Sequence, residues 1–482
     1  MVSCSTAEVN PKIKLELNGT NVIHESERHG KPSHLFWPWC GANVSLLALS
    51  YGAFFLGFGI SFWQATLAAL LGTVLSFFLV GVSSIAGKKS NAPTMVLSRA
   101  AFGIKGNLIP GLLSYAVFVG WETVLVSLAT LATGTIFERI GHVDRNIAMA
   151  CGFLIALALT VVGGVLGHSM IMKLQKYITG ITVVATLLYI LLTFDAVNWR
   201  SIQSLPEGSS QAFIGALIFG VTGIGLGWVN SAADYSRYLP RTVSSRGVIG
   251  WTVFGASVVP IILVIYGALL AGSDKKLFDA IAVDPIGALT TLLPTWFLAF
   301  FALIAILGLV GGAILDLYSS GLTLIAIGLP IKRHTAALID ALIMLLGTIY
   351  IVWFAPNFFI PFQGFLITLG VPIATWSAVF VVDVLLRKKQ YSEDDLYNLQ
   401  GRYGTWNIKA LALVVIGSFV GFGFVTNTFA SSLSWQGYLL PLIGGKDGPW
   451  AYANLGVALA LLIGGVGYWI IARSEIKKQE SA

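Results

Sequence analysis

Apolar runs long enough to cross a bilayer follow one another along almost the whole chain, and no other feature constrains the fold as tightly. They fall at about 36–59, 62–87, 107–137, 146–167, 174–194 and 211–232, then at 247–271, 288–328, 335–354, 362–386, 408–428 and 450–472. A spanning α-helix needs about 20 mostly apolar residues. Lipid offers the backbone no hydrogen-bond partner, which leaves helices and closed barrels as the spanning structures, and runs of this length select helices. The sequence therefore predicts an all-α integral membrane protein with twelve transmembrane helices. Composition agrees, with 56% of the 482 residues hydrophobic and 11% charged, against about 25% charged in soluble domains. Runs longer than one span, such as 288–328, imply tilt, a kink or an interfacial extension.

A formal net charge of +7 raises the question of a nucleic-acid partner. Topology explains it instead. With the N-terminus inside, Arg139, Arg145, Arg200, Lys275, Lys276 and Lys446 fall in outer segments, and every other Lys and Arg falls on the cytoplasmic side. Cytoplasmic loops attract basic residues. The bias predicts a plasma-membrane protein with both termini cytoplasmic and no nucleic-acid partner. Residues 1–35 form a polar N-terminal tail without an apolar run, so no cleavable signal peptide is expected. Residues 473–482 form a second cytoplasmic tail. Cys4, Cys40 and Cys151 show neither paired spacing nor a metal motif, and no metal or cofactor is expected. Most of the six histidines lie in tails or loops, which leaves no clustered constellation for a membrane enzyme. No repeated filter-like signature supports a channel. A carrier remains.

Phe219 to Asp234, FGVTGIGLGWVNSAAD, is apolar enough for a bilayer yet carries four glycines and several hydroxyl and amide groups. Glycine least resists leaving helical geometry. A helix that breaks inside a membrane turns its freed polar groups toward protein, water or ligand, and broken helices form the midplane sites of secondary transporters. Close helix packing by small residues is the alternative. The first span is interrupted too, by Gly41, Gly52, Gly57 and Gly59. Irregular segments five helices apart point to an inverted repeat. Spans 1–5 (about 36–194) and 6–10 (about 211–386) would enclose the site, with two extra helices over about 408–472.

Few ionisable residues lie inside the runs: Glu122 in the third, Asp316 deep in the eighth, and Asp340 and Asp383 nearer the ends of theirs. Buried membrane carboxyls are costly and mark function or pairing. Glu122 and Asp316 are candidates for substrate binding and proton coupling, whereas Asp340 and Asp383 read as structural or interfacial. Most tryptophans sit near span ends, where the interfacial belt prefers them. Trp121 and Trp228 fall mid-span. Two aromatic faces could sandwich a planar ligand, or the two indoles could simply fill the bundle. Asn43, Glu122, Asn230, Asp234, Asp316 and Gln363 are available to read a ring's edge.

The order of the motifs carries a resemblance. Trp39-Cys-Gly-Ala-Asn43 lies in the first span, and Gly59-Ile-Ser-Phe-Trp-Gln64 starts the second. Ala92 to Gly103, with Leu97-Ser98-Arg99, precedes the third, which contains Val119-Gly-Trp121-Glu122. Ser231-Ala-Ala-Asp234-Tyr-Ser-Arg237-Tyr closes the sixth, and Asp316-Leu-Tyr318-Ser319 lies in the eighth. This series resembles the nucleobase–cation symporter-1 family, the cytosine and purine permeases with hydantoin and allantoin relatives. The resemblance implies a leucine-transporter-like 5+5 inverted repeat that works by alternating access. It also implies one small planar heterocycle bound between spans 1, 3, 6 and 8. Trp121 matches the stacking tryptophan, and Trp228, beside Gly225, is the choice for the second wall. The span-1 ligand position falls at Leu46, near Asn43. Glu122 and Asp316 are the carboxyls to test for proton coupling.

The family's sodium-coupled members complete a cation site with a hydroxyl pair in span 8 and span-1 carbonyls, here near Ala42 and Ser45. An ungapped alignment sets Gly311 and Gly312 at that pair, with Gly308 a turn earlier. Glycine supplies no side-chain oxygen, so a hard cation would lack ligands, which favours the proton as coupling cation. A shift of a few residues would bring Tyr318, Ser319 and Ser320 there instead. The expected activity is proton-coupled import of a nucleobase such as cytosine or a purine. A sodium-coupled importer of allantoin, hydantoin or a pyrimidine or thiamine precursor is the alternative.

Overall fold

The computed structural model describes residues 19–166, 168–355 and 357–481. The first part of the expected N-terminal tail, with Cys4, Lys12 and Lys14, lies outside the described residues.

The first span breaks where its own side chains can meet the freed backbone. Helices α1 (Phe36–Asn43) and α2 (Leu47–Leu56) flank the break, and the chain bends by 68° across it. Helix ends leave unpaired carbonyls and amides. Asn43 answers at the end of α1, its Nδ2 donating to the Trp39 carbonyl at 2.8 Å. Ser45 Oγ accepts from the Leu47 N–H at 3.3 Å. The interruption therefore falls at Val44–Leu46 and not at a glycine.

The following helices are α3 (Phe62–Lys89), α4 (Leu108–Gly141), α5 (Arg145–Leu166) and α6 (His168–Thr193). A capping box starts α3: Ser61 Oγ accepts from the Gln64 N–H, and the Gln64 side chain accepts from the Ser61 N–H. The sixth span differs from the expected break. It runs from α7 (Ser210–Gly220) through a π-helical stretch, Val221–Gly225, and a 3-10 stretch, Leu226–Ser231, into α8 (Ala232–Ser236). The helix changes pitch without stopping. Tyr51 OH takes up one altered carbonyl, donating to Gly223 O at 2.7 Å. Short π segments inside α-helices are frequent at functional sites.

Six more helices complete the bundle: α9 (Ser245–Ser273), α10 (Thr295–Ala326), α11 (Arg333–Trp353), α12 (Phe359–Leu386), α13 (Ile408–Gly423) and α14 (Leu455–Ser481). Among the described residues, ten helices are long and apolar enough to span, and the bent α1–α2 pair makes an eleventh. Helix α13, where the eleventh span was expected, has 16 residues. Residues 473–481, read from sequence as tail, continue α14, tied down by a hydrogen bond from Arg387 Nη2 to Gln479 Oε1 at 2.8 Å.

Asp383 proves structural, as its position near a helix end suggests. Arg387 grips it with two hydrogen bonds, of 2.7 and 2.9 Å, and Tyr468 OH donates to it at 2.9 Å. Both charges are buried. Removing one partner of a buried pair strands the other and costs about 3–5 kcal/mol. Asp383→Ala should therefore lower the thermal midpoint of the detergent-solubilised protein sharply. An unchanged midpoint would show that the pair does not hold α12 in place. The segment 387–407 is docked on the bundle: Leu396 is buried, and its carbonyl accepts from Arg99 Nη1 at 2.9 Å.

Candidate functional site

The α1–α2 break, the middle of α4, the pitch change in the sixth span and the middle of α10 surround one small cavity of about 70 Å³. Of the residues singled out from sequence, Ala42, Asn43, Ser45, Trp121, Trp228 and Asp316 line it. Asp316 is the one carboxyl in that lining, and its Oδ2 has no hydrogen-bond partner.

The two indoles are held edge-on by other rings. Trp121 meets Phe362 at 5.6 Å and Phe365 at 5.8 Å between centroids, and Trp228 meets Trp39 at 5.8 Å. Edge-to-face packing of this kind is favourable and fixes ring orientation. Both indoles border the same space.

Other sequence candidates lie elsewhere. Leu46 is buried outside the lining although Ser45 and Leu47 border it. Gly225 is pressed against α3, where a Cβ would lie 2.2 Å from Ser76 Oγ. Glu122 is fully buried outside the lining, with the Ser320 hydroxyl beside it and no ion pair among the described residues. Asn230 is buried with its amide unpartnered. Asp234 accepts from the Thr94 N–H and hydroxyl, both at 2.8 Å, and so anchors the end of the sixth span. Gln363 lines a separate vestibule of about 500 Å³ near the end of α2. Between that vestibule and the cavity stand Tyr51, Phe54, Phe219, Phe359 and Phe362, in mutual ring contact. On the opposite side, buried Arg237 donates to Tyr318 OH at 3.1 Å and to the Gly19 carbonyl at 3.0 Å. Buried Arg28 donates to Leu239 O at 2.7 Å and Lys88 O at 2.8 Å. These bonds tie the N-terminal segment to the end of α3 and to the chain just after α8.

Gly308, Gly311 and Gly312 do face the break. A Cβ on Gly308 would stand 3.0 Å from Val44 O, and one on Gly312 3.5 Å from Ala42 O. Sequence reasoning missed the residue that shares this place, Gln175 on α6. Its Nε2 donates to Gly311 O at 2.7 Å, and its Oε1 lies where a Cβ on Gly41 would come within 2.1 Å. An amide N–H therefore already occupies a carbonyl in the region of the expected cation site. Tyr51 and Thr222, also not singled out, join the cavity lining. Their signal was only their register beside glycines in the two irregular spans.

A bent first span, a re-pitched sixth span and an enclosed cavity between them define a secondary transporter of leucine-transporter-like fold. The solved structure of Mhp1, a nucleobase-cation-symport-1 family transporter in a closed conformation with bromovinylhydantoin bound, superposes with a TM-score of 0.69 at 18% identity, covering 97% of this chain and 100% of that one. A family model described as permease for cytosine/purines, uracil, thiamine and allantoin matches residues 22–440, and the chain belongs to that family. It is 24% identical over 477 residues to the putative purine-cytosine permease YxlA of Bacillus subtilis, covering 97% of this chain and 98% of that protein. It is 28% identical over 242 residues to the purine-cytosine permease FCY2 of Saccharomyces cerevisiae, covering 48% of this chain and 43% of that protein.

Proposed function

We propose that this protein imports a nucleobase, such as cytosine or a purine, together with a proton across the plasma membrane by alternating access, with both termini in the cytoplasm. The observation that carries this reading is the placement of Trp121 and Trp228 on one cavity with a single carboxyl, Asp316, in its wall. The flat ring lies against the indoles, a contact that tolerates any aromatic heterocycle. Asn43 and Asp316 meet its edge, where paired donors and acceptors distinguish one base from another. Purine-cytosine permease relatives support the substrate class.

Proton coupling is supported by two features. Glycines stand where a hydroxyl pair would complete a sodium shell, and Gln175 already donates to the Gly311 carbonyl. Glu122 and Asp316 are buried carboxyls without an ion pair among the described residues, the kind of group that marks proton pathways in membranes. Uptake is expected to rise as the outer pH falls, and Glu122→Gln and Asp316→Asn should each flatten that rise. Two unchanged pH profiles would remove these carboxyls from the coupling step.

A competition panel tests the substrate reading. Unlabelled nucleobases should displace labelled cytosine or adenine in sodium-free medium. Displacement by allantoin or hydantoins alone, or only when sodium is present, would replace it with the sodium-coupled alternative.

A further inference from the structure

We propose that Asp340 on α11 receives the coupling proton from the cavity side and delivers it toward the cytoplasmic ends of α4 and α11, along a route separate from the substrate's. The inference rests on the proton-coupled reading above.

The route is built from three helices that pack on one another, α4, α10 and α11. Asp316 borders the cavity. Glu122, fully buried, interacts electrostatically with both Asp316 and Asp340 and has the Ser320 hydroxyl beside it. A buried carboxyl without a cationic partner is expensive to keep ionised and is thus available to take and give a proton. Asp340, also fully buried, is held on both oxygens. Ser320 Oγ donates to Oδ2 at 2.7 Å, and Tyr115 OH donates to Oδ1. Ser320 sits one helical turn beyond Asp316 on α10, and Tyr115 two turns before Glu122 on α4, so each pair shares a helix face. From the cavity wall the route runs sideways from Asp316 to Glu122, then toward the helix starts to Asp340 and Tyr115.

Charge argues the same way. The groups facing Asp340 are Glu122 and Tyr115 from α4 and Ser320 from α10, and α5, which also packs on α11, contributes no ion pair to it among the described residues. Among the described residues no ion pair with Lys, Arg or His balances them, and neighbouring carboxyls disfavour one another's ionisation. In each transfer an O–H bond on the donor carboxyl breaks as one forms on the acceptor, leaving a carboxylate behind. No redox partner is needed. The last step, from Asp340 with the Tyr115 hydroxyl beside it, releases the proton to water. Asp340 and Tyr115 each lie seven residues from the starts of α11 and α4, about 10 Å along the helix axis, on the side assigned to the cytoplasm. Glu122, Asp340 and Tyr115 do not line the cavity, so the proton's route is separate from the substrate's site.

The test uses the full protein in liposomes, with a trapped pH dye to read proton entry and labelled cytosine to read transport. Net accumulation requires proton release inside, whereas exchange of labelled for unlabelled base does not. Asp340→Asn should reduce net, proton-driven accumulation at least tenfold more than it reduces exchange, and Asp340→Glu should restore part of it. Tyr115→Phe, which keeps the packing, should slow proton entry in the same selective way and covers the case of an Asp340 variant that fails to fold. Equal loss of exchange and accumulation in folded Asp340→Asn would make the residue structural and overturn the route. So would an unchanged proton-to-substrate ratio in both variants. If the wild-type protein carries cytosine without any proton entry, the coupling reading falls and the route with it. That result is distinct from proton entry that persists without Asp340.

Discussion

Trp121→Ala is expected to abolish saturable nucleobase uptake while the protein still reaches the membrane. The indole forms one wall of the cavity and is propped edge-on by Phe362 and Phe365. Stacking of a base on an aromatic side chain contributes about 1–3 kcal/mol, so its loss alone weakens binding by roughly 5- to 150-fold, since each 1.4 kcal/mol is tenfold. Truncation also widens the cavity and frees the two phenylalanines to collapse into it, which spoils the geometry for any base that does enter. Trp121→Phe keeps a flat face in the same place and should retain saturable uptake at a raised half-saturation. Uptake kinetics normalised to surface protein check both. An unchanged half-saturation in Trp121→Ala would place the ring elsewhere.

The second large effect is expected at Gly267, where α9 and α2 meet backbone to backbone. A Cβ there would lie 1.8 Å from Leu49 O and 2.6 Å from its carbonyl carbon, and one on Gly52 would lie 2.1 Å from Ala268 N. No flexible side chain can move aside, so the helices must separate. Overpacking a fitted interior commonly costs about 1–3 kcal/mol. Ala48, Tyr51 and Val264 on these two helices line the cavity, so separation also displaces its wall. Gly267→Val should therefore lose transport and lower the thermal midpoint together. Gly180→Ala on α6, where a Cβ would meet nothing within 4 Å, serves as the comparison and should change neither. Normal transport by Gly267→Val would contradict the close approach.

The spans were legible because lipid makes their length and polarity nearly obligatory. That irregular backbone would occur in the first and sixth spans was legible from their glycines. The position and kind of irregularity were not. The first span breaks at Val44–Leu46 because Asn43 and Ser45 satisfy the loose ends, a local device that glycine counting overlooks. In the sixth the glycines permit a change of pitch, and the long-range bond from Tyr51 to Gly223 helps fix it.

Within the site, mid-span tryptophans and a lone deep aspartate stood out by chemistry alone, and Trp121, Trp228 and Asp316 do meet at one cavity. Leu46 and Gly225 turn away from it, since a residue's facing across a bend or a pitch change cannot be counted along an ideal helix. Gln175 was passed over, and Asp340 was read as structural or interfacial, for another reason. Each takes its meaning from a partner distant in sequence, the Gly311 carbonyl and the Tyr115 hydroxyl.

The most direct measurement is accumulation of labelled cytosine or adenine by proteoliposomes in sodium-free buffer under an inward proton gradient. The base should rise above its equilibrium level and fall back when a protonophore collapses the gradient. Accumulation that needs sodium and ignores the protonophore would contradict proton-coupled nucleobase import.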